Sequence, residues 1–452
     1  MTTAGQDALD VAAVTMAAAP PRCGAGAVTP VGRDGDLSDL DDLFRRTSTV
    51  VVTESAEAAG RGGMGLSALA RAYAETRRAR WPAPPAVISL ARPDLVGLDL
   101  AAAGLRLDMV TEGPLAQRVE AVLAALRTDA ARLLILDDCP DARSYRAVRP
   151  SGGRPAVLVT AGAAPWAPDV GAAEHPLGGL HFRDAAALVA SRRPDLTPEQ
   201  PEVARVVAAL DAVPAALALA AHTLAADRDG QLGDPIAYLR AVRAVPVDDL
   251  RLALGGGTRA PAGRERAIVR ALGVAAGALR PTHGPDIVAL FLLRIAAAFQ
   301  PGQPFPERLL RRAAQAGEDP PDSAQLDKAL GRLRALGLLH DDADGRGPYL
   351  ARPVAAYVAG NDPARMPAAR RLAEAAAARA AAEALADGRV NDVLPWQAHL
   401  HHLAEIAEMA RSSVAGVLMR RLGEQMHALG APDLARALDA RGNRLIRAQP
   451  SA

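Results

Sequence analysis

The hydrophobic and polar positions of the chain change their periodicity once along its length. In the first part, short apolar runs alternate with segments in which apolar residues recur every three or four positions. The predicted strands are Thr49–Thr53, Ala86–Leu90, Leu133–Leu136 and Ala156–Thr160. The predicted helices between them include 66–80, which Pro82 ends, and 115–126. Strands that alternate with helices predict a mostly parallel sheet covered on both faces.

From about Arg183 onward the pattern is almost entirely helical, with proline-rich breaks near 281, 301–306 and 320–321. Residues 324–358 predict a helix followed by two short segments on either side of Gly345, which resembles the recognition helix and wing of a winged-helix domain. Residues 363–448 are alanine-rich helix pairs, and 422–445 resembles one tetratricopeptide-type unit.

Composition narrows the class of protein. The 452 residues are 50% hydrophobic but only 3% aromatic, so Ala, Leu and Val must build the cores. A net charge of +1 favours neither nucleic acid nor a membrane as the main partner. Cys23 and Cys139 lie far apart and indicate neither a disulfide framework nor a metal site. The sequence has no apolar run long enough to span a membrane. No basic region precedes the alanines near the N-terminus, so a signal peptide is not expected. We therefore expect a cytoplasmic protein.

A glycine-rich octet, GRGGMGLS, lies between the first predicted strand and the helix that follows it. Gly60 to Ser67 has the frame of a P-loop, G-x-x-x-x-G-K-[ST], in which backbone N–H groups surround phosphates and the lysine neutralises them. Leu66 occupies the lysine position, and Ser67 occupies that of the Mg²⁺-binding hydroxyl. Lys328 is the only lysine, but a bias towards arginine does not explain a leucine.

About 70 residues after the glycine-rich octet, an apolar strand ends in two aspartates, as in a Walker B motif. In this pattern Asp137 would hold Mg²⁺ through water, and Asp138 would help to orient an attacking water. A glycine-rich loop alone is a weak indication, whereas the loop and the strand together at this spacing favour a nucleotide site.

Five sequence blocks in order resemble the STAND class of signalling ATPases, in particular its NB-ARC-like bacterial members. The blocks are Val31 to Asp34, Gly60 to Ala70, Leu133 to Asp138, Ala156 to Gly162 and Ala212 to Leu217. The resemblance implies an α/β P-loop NTPase domain (three-layer, with a mostly parallel sheet) followed by an all-α lid, a winged helix and helical tetratricopeptide-like regions. The implied bounds are a disordered leader 1–29, a P-loop domain 30–182, a lid 183–280, a winged helix 281–360 and a helical region 361–452.

The resemblance also implies a ligand, ADP or ATP with Mg²⁺, and a set of contact residues. By this resemblance the metal site is Ser67 and Asp137, and Asp138 is the catalytic residue. The implied nucleotide-binding residues are Gly32, Arg33, Gly60, Gly62, Gly63, Gly65, Leu66, Ser67 and Pro214. In the family, bound ADP locks the lid and winged helix, and ATP with a ligand on the helical region releases an oligomer. A protein partner on the C-terminal helices and a homo-oligomer are therefore expected.

The departures from the family pattern fall mainly on the phosphate side. Leu66 replaces the lysine, Gly162 the sensor arginine, Ala212 the glycine of GLP, and Arg352 the histidine that contacts the ADP β-phosphate. Six extra residues, 54–59, bring two glutamates towards the same place. Each lost phosphate contact costs about 1.5–3 kcal/mol. We therefore expect a degenerate site that binds nucleotide weakly or not at all, with little or no ATPase activity.

Four alternatives to a degenerate switch remain at this point. An active ATPase would need a substitute for the missing lysine. A DNA-binding regulator would use Lys328, Arg332 and Arg334 of the predicted recognition helix, although we expect that helix to pack against the nucleotide domain. An NADP-dependent Rossmann enzyme would read the same glycines as G-x-G-x-x-G, with Arg92 on the 2′-phosphate. A purely structural interaction module would bind no ligand.

Three histidines near the C-terminus invite a metal site. His399 and His402 share a helical face with Glu405 nearby, and His401 lies between them. No further ligand pattern supports a metal, so we expect surface histidines.

Overall fold

The computed structural model describes residues 31–55, 63–109, 112–149, 155–162, 171–254 and 257–447. The predicted leader 1–29, and Gly60 and Gly62 of the glycine-rich loop, lie outside the described residues.

A five-stranded sheet organises the first part of the chain. The strands are β1 (Thr49–Glu54), β2 (Ala86–Ser89), β3 (Leu133–Cys139), β4 (Ala156–Ala161) and β5 (Ala173–Leu177). Their order is β2-β3-β4-β1-β5, and every pairing is parallel. The four strands expected from the sequence are confirmed, and their parallel pairing places the ends of β1, β3 and β4 on one edge of the sheet.

Both faces of the sheet are buried, as the continuous apolar runs predict. In β1, Val50 and Val52 belong to one hydrophobic cluster, whereas Val51 belongs to a second cluster on the other face. The helices of this part are α1 (Asp34–Arg46), α2 (Leu66–Thr76), α3 (Val96–Arg106), α4 (Leu115–Thr128) and α5 (Ala142–Val148). The three-layer α/β arrangement expected from the sequence is therefore confirmed.

The fifth strand was not predicted. In the segment AEHPL, only His175 and Leu177 are buried, and Pro176 interrupts the apolar pattern. Proline is tolerated in an edge strand because one of its sides needs no ladder hydrogen bond. The strand forms because β1 offers it a parallel partner along its whole length, from Val50 opposite Ala173 to Glu54 opposite Leu177.

The rest of the chain is mainly helical, as predicted. Its first helices are α6 (Phe182–Ala190), α7 (Pro201–Ala209), α8 (Pro214–Ala226), α9 (Pro235–Ala244) and α10 (Glu265–Gly277). The next are α11 (Gly284–Ala296), α12 (Glu307–Gln315), α13 (Ser323–Ala335) and α14 (Arg352–Asn361). The last are α15 (Met366–Ala386), α16 (Gln397–Met409), α17 (Ala415–Ala428) and α18 (Pro432–Arg447). Short 3₁₀ helices cover Pro93–Leu95, Gln231–Gly233 and Val390–Trp396.

Two small antiparallel hairpins interrupt these helices. The first, β6 (Leu252–Leu254) and β7 (Gly257–Arg259), was not expected in the helical region. The second, β8 (His340–Asp341) and β9 (Pro348–Tyr349), follows α13 at the place where the sequence predicts a wing. We call residues 340–349 the β8–β9 hairpin.

One hydrophobic cluster extends from the α/β domain to the last helix of the described chain. It runs from Leu37 on α1 through Leu217 on α8 and Leu330 on α13 to Leu438 on α18. The small side chains that dominate the composition bury little area each, so contacts between regions carry much of the burial. The regions are therefore held in one arrangement, which decides what reaches the end of β3.

Candidate functional site

The start of α2 lies at the carboxyl end of β1, as a P-loop helix requires. Gly65 precedes the helix with φ of 89°, a conformation that few other residues adopt. Leu66 begins the helix, and its side chain is half-buried against the main hydrophobic cluster. The lysine position is thus filled by a packed apolar side chain rather than by a cation directed at phosphate.

The two residues of the predicted metal site, Ser67 and Asp137, lie in direct contact. The Ser67 hydroxyl donates to Oδ1 of Asp137 at 2.7 Å. The same oxygen accepts from the Thr160 hydroxyl of β4 at 2.6 Å, and Thr160 Oγ1 in turn accepts from the Asp138 N–H at 2.9 Å. Thr160, which the sequence analysis treated only as part of a strand, orients both aspartates.

Asp138 is directed out of β3 by a left-handed backbone with φ of 59°, which Asp tolerates better than most residues. Its Oδ2 accepts from Nη2 of Arg352, the first residue of α14, at 2.7 Å. Burial and the neighbouring charge of Asp137 raise the pKa of Asp138 to about 6, although Arg352 acts in the opposite direction. The predicted catalytic carboxyl is therefore engaged by a residue more than 200 positions away.

A second arginine reaches Asp137. Nη2 of Arg71 lies 3.8 Å from Oδ2 of Asp137, while its Nη1 donates to Oδ1 of Asp342 on the β8–β9 hairpin at 2.7 Å. Asp342 also accepts two hydrogen bonds from Arg346, at 2.8 and 2.7 Å. Burial alone would raise the pKa of Asp342, but Arg346 and Arg71 lower it to about 2.

Three residues of this site were not expected from the sequence: Arg71, Asp342 and Arg346. Arg71 follows Ser67 by four positions and so shares its helical face, which was a usable indication. Nothing in the sequence placed Asp342 there, because it contacts α2 only when the hairpin lies over the end of β3.

The other end of the predicted nucleotide site is also assembled. Arg33 is buried, and its Nη2 donates to the carbonyl oxygens of Met64 and Gly178 at 2.9 and 3.0 Å. Pro214 begins α8, and the next N–H, that of Ala215, donates to the Gly63 carbonyl at 3.1 Å.

Gly32 closes the same end of the site against α6. A Cβ on Gly32 would lie 2.2 Å from that of Asp184, so the chain needs glycine there. The structure thus brings four of the predicted nucleotide-binding residues, Gly32, Arg33, Gly63 and Pro214, around the start of α2.

The structure places one of the departures on the phosphate side where it was expected and corrects another. Gly162 follows β4 and is exposed. Glu54 is the last residue of β1 and is buried, so it belongs to the strand rather than to the extra residues before the loop. The second glutamate of that segment, Glu57, lies outside the described residues.

The oxygen atoms of Ser67 and Asp137 suit a hard cation such as Mg²⁺. A hydroxyl and a carboxylate already lie in contact, and Asp138 is adjacent in sequence. However, the Arg71 guanidinium is placed at the second oxygen of Asp137, where it supplies positive charge itself. Among the described residues there is no group of three or more His, Cys, Asp or Glu side chains that would hold a metal.

Arg92, on which the NADP hypothesis depends, is engaged by carboxylates. Its guanidinium donates to both oxygens of Glu405 on α16, at 3.0 and 2.7 Å, and to Asp94. Arg92 therefore ties the C-terminal helices to the end of β2, and a 2′-phosphate would have to displace both carboxylates.

The expectation of surface histidines was wrong. His399 is fully buried on α16, where its Nδ1 accepts from the Gln300 N–H at 3.1 Å and its Nε2 donates to the Pro304 carbonyl at 2.9 Å. His401 is also buried, and His402 is half-buried. Burial lowers the pKa of His399 and His401 to about 4. The sequence misled because a surface position was assumed for an amphipathic helix that is covered on both sides.

The basic residues of α13 that could touch DNA pack within the protein. Arg332 donates to the Ala278 carbonyl at 3.2 Å, and Arg334 contacts Asp341 at 2.8 Å and Glu307 at 2.6 Å. Lys328 is exposed. Two of the three cations are thus occupied by contacts inside the chain.

The C-terminal helices dock on the α/β domain. The Leu115 N–H at the start of α4 donates to the Leu429 carbonyl at 2.7 Å, and Nη1 of Arg118 donates to the Asn391 side chain at 2.7 Å.

In the described part of the chain, no helix is both long enough and apolar enough to span a membrane.

No family model matches the sequence, and no curated protein is similar to it. Among solved structures, the Signal Transduction ATPase with Numerous Domains (STAND) protein with a tetratricopeptide repeat sensor from Pyrococcus horikoshii is 14% identical, with a TM-score of 0.45. The match covers 91% of this chain and 58% of that one, so this chain spans little more than half of that protein's length.

Two further solved structures are similar at the same identity of 14%. The Walker-type ATPase of Pyrococcus abyssi has a TM-score of 0.30 over 72% of this chain and 95% of that one. The ORC2 protein of Aeropyrum pernix, in complexes with ADPNP and ADP, has a TM-score of 0.33 over 76% and 94%. The parallel sheet, the helix that starts at Leu66 and the aspartates near the end of β3 give this chain an α/β domain with a P-loop type of fold, followed by helical regions.

Proposed function

We propose that this protein is a regulatory switch or scaffold of the NB-ARC type, with a degenerate nucleotide site, that acts through protein partners in the cytoplasm. The observation that carries the proposal is the state of the phosphate side. Leu66 packs where the lysine belongs, and both aspartates of β3 are engaged by arginines of the same chain.

The adenine side of the site supports nucleotide binding without hydrolysis. Arg33 fixes the carbonyls of Met64 and Gly178, and Pro214 starts the helix that contacts Gly63. When bound, Mg²⁺ would neutralise phosphate charge at Ser67 and Asp137. Arg352 holds Oδ2 of Asp138 by a hydrogen bond, so this oxygen becomes available to an incoming water only when Arg352 moves. Any ADP or ATP that binds is therefore expected to be held weakly and as a static ligand.

In this proposal, residues 183–280 act as the lid, 281–360 as the winged helix, and 361–452 as the part that meets a partner protein. The β8–β9 hairpin follows α13 in the order helix then wing. The last helical pair exposes two apolar side chains, Val417 on α17 and Leu434 on α18. In this proposal a partner protein covers them and removes them from water.

The test is to restore the missing cation. Leu66→Lys is compared with Leu66→Met, which keeps size and apolarity but adds no charge. We expect Leu66→Lys to tighten ATP and ADP binding roughly 10- to 100-fold, since a charge-assisted phosphate contact is worth about 1.5–3 kcal/mol. Binding is measured with a fluorescent nucleotide and by thermal shift, because a ligand that binds only the folded state raises the midpoint.

The rival function is an active ATPase, which the retained Ser67, Asp137 and Asp138 favour. In that case the wild-type protein would release phosphate from ATP, and Asp137→Ala would abolish the release. Turnover of this kind, together with tight wild-type binding that Leu66→Lys does not change, would contradict the proposal.

A further inference from the structure

The β8–β9 hairpin and the start of α14 lie over the carboxyl ends of β2 and β3. Two side-chain contacts join this segment to the α/β domain, and a third comes from Gln303 in the loop before α12. Arg71 reaches Asp342, Arg352 reaches Asp138, and Nε2 of Gln303 donates to the Ser89 hydroxyl at 2.7 Å. All three meet the edge of the sheet at which the predicted metal site lies.

The Arg71 contact is the more buried of the two ion pairs. The Asp342 side chain is 1% exposed, and Arg71 is 27% exposed. Asp342 is also held by its own hairpin, through Arg346 and through the Asp344 N–H, which donates to Oδ2 at 3.1 Å. Without Arg71, one buried carboxylate oxygen would lose its partner from the α/β domain, whereas the hairpin itself would keep its internal contacts.

The second pair has a similar role on the other aspartate. Arg352 is the first residue of α14, and the Gly302 N–H donates to the Leu350 carbonyl at 2.8 Å just before it. This contact fixes the start of α14 beside Asp138. The two aspartates of β3 therefore each face an arginine, one from α2 and one from α14.

We propose that Arg71 and Arg352 take the place of a divalent cation at Asp137 and Asp138, and thereby latch the β8–β9 hairpin onto the α/β domain without nucleotide or metal. The inference rests on the proposed function, in which the phosphate side of the site is degenerate. It extends that function by naming the contacts that hold the β8–β9 hairpin against the α/β domain.

The latch and a metal exclude one another for an electrostatic reason. A divalent cation on Ser67 and Asp137 would bring two positive charges close to the Arg71 guanidinium, which lies 3.8 Å from the same carboxylate. Arg71 would have to move away, and Asp342 would lose its contact with α2. A metal-bound nucleotide is thus a ligand that opens the latch, and nucleotide removal leaves it closed.

The experiment uses the full chain, treated with EDTA and freed of nucleotide, and measures hydrogen exchange of peptides that cover 340–352. In the wild type this segment should be protected. Arg71→Met should increase its opening roughly 10- to 100-fold, because it removes a charge-assisted contact to a buried carboxylate. Arg352→Met should increase the opening by up to about 5-fold, because this ion pair is more exposed. Arg71→Lys should restore part of the protection, since it keeps the charge. Peptides from β1 and α16 should be unchanged, which separates release of the latch from global unfolding.

The matched control is Arg45→Met, which removes an exposed arginine of α1 whose partner, Asp42, belongs to the same helix. It should leave exchange at 340–352 as in the wild type. Addition of millimolar MgCl₂ with ATP should increase exchange of the wild-type segment only if nucleotide binds. A wild-type segment that becomes protected only when nucleotide is added would overturn the latch, as would variants that exchange like the wild type.

The outcome is distinct from that of the proposed function. Tight, hydrolytic nucleotide binding would refute the degenerate site even if the EDTA-treated protein is latched. If residues 340–352 exchange rapidly in the EDTA-treated wild type, the latch proposal is refuted, even if the wild type binds no nucleotide.

Discussion

The fully buried His399 makes a sharp prediction about pH. Its ring accepts a hydrogen bond from Gln300 and donates one to Pro304, so it joins α16 to the segment before α12. A second proton on Nδ1 would point at the Gln300 N–H, which is itself a donor. Burial lowers the pKa of His399 from 6.5 to about 4, so the folded protein keeps the ring neutral where the unfolded chain protonates it.

The sign follows from the protons bound by each state. Between pH 6.5 and about 4 the unfolded state binds one more proton at this position, so the free energy of unfolding falls as the pH falls. The contribution is fully present above pH 6.5. One pH unit below that value, at pH 5.5, about 1.4 kcal/mol of it is lost.

The perturbation is His399→Gln, which removes the titration and keeps an acceptor and a donor. Urea unfolding is followed by circular dichroism at pH 7.5 and pH 5.5. The stability difference between wild type and variant should shrink by about 1.4 kcal/mol at the lower pH. The difference between the two proteins is the informative quantity, because burial raises the pKa of Asp99 and Asp138 to about 6 and these carboxyls act with the opposite sign.

The control is Phe299→Leu, which loses packing against the same imidazole ring, 5.7 Å away between centroids, but removes no titrating group. Its stability difference from the wild type should be the same at both pH values. A His399→Gln difference that also stays constant between pH 7.5 and 5.5 would refute the reasoning.

Two further predictions concern the docking of the C-terminal helices. Gly430 has φ of 66°, and a Cβ there would lie 2.9 Å from Pro114, whereas Gly388 has φ of 67° and open space around it. In both Gly→Ala variants the backbone strain should lower the free energy of unfolding, measured in urea or by heating, by about 1–2 kcal/mol. Only Gly430→Ala should also speed hydrogen exchange at the start of α4. Equal exchange in the two variants would contradict a tight contact with Pro114. Arg92→Ala should leave Glu405 without its bidentate partner and increase hydrogen exchange of α16. Glu405→Gln should increase the same exchange. If α16 exchanges as in the wild type in both variants, this pair does not hold the helices.

Periodicity and motif spacing predicted much of the α/β domain. Continuous apolar runs such as Val50 to Val52 are buried between two layers, so four strands and a mostly parallel sheet followed from the local pattern. The meeting of Ser67 with Asp137 followed as well, because the ends of parallel strands share one edge of a sheet. The edge strand at His175 did not, since its formation depends on the partner that β1 provides.

The sequence by itself determined that this chain has a P-loop type of domain, helical regions and a leucine at the lysine position. Those properties depend on residue identity and on spacing along the chain. Only the tertiary structure decided that Arg352 reaches Asp138 and that Asp342 holds Arg71, because Arg352 and Asp342 lie more than 200 residues from the strand and helix they contact. It likewise decided that His399 is buried, because the surface that covers it comes from another region of the chain. Long-range contacts of single side chains leave no periodic trace, and at this site they determine which charges meet.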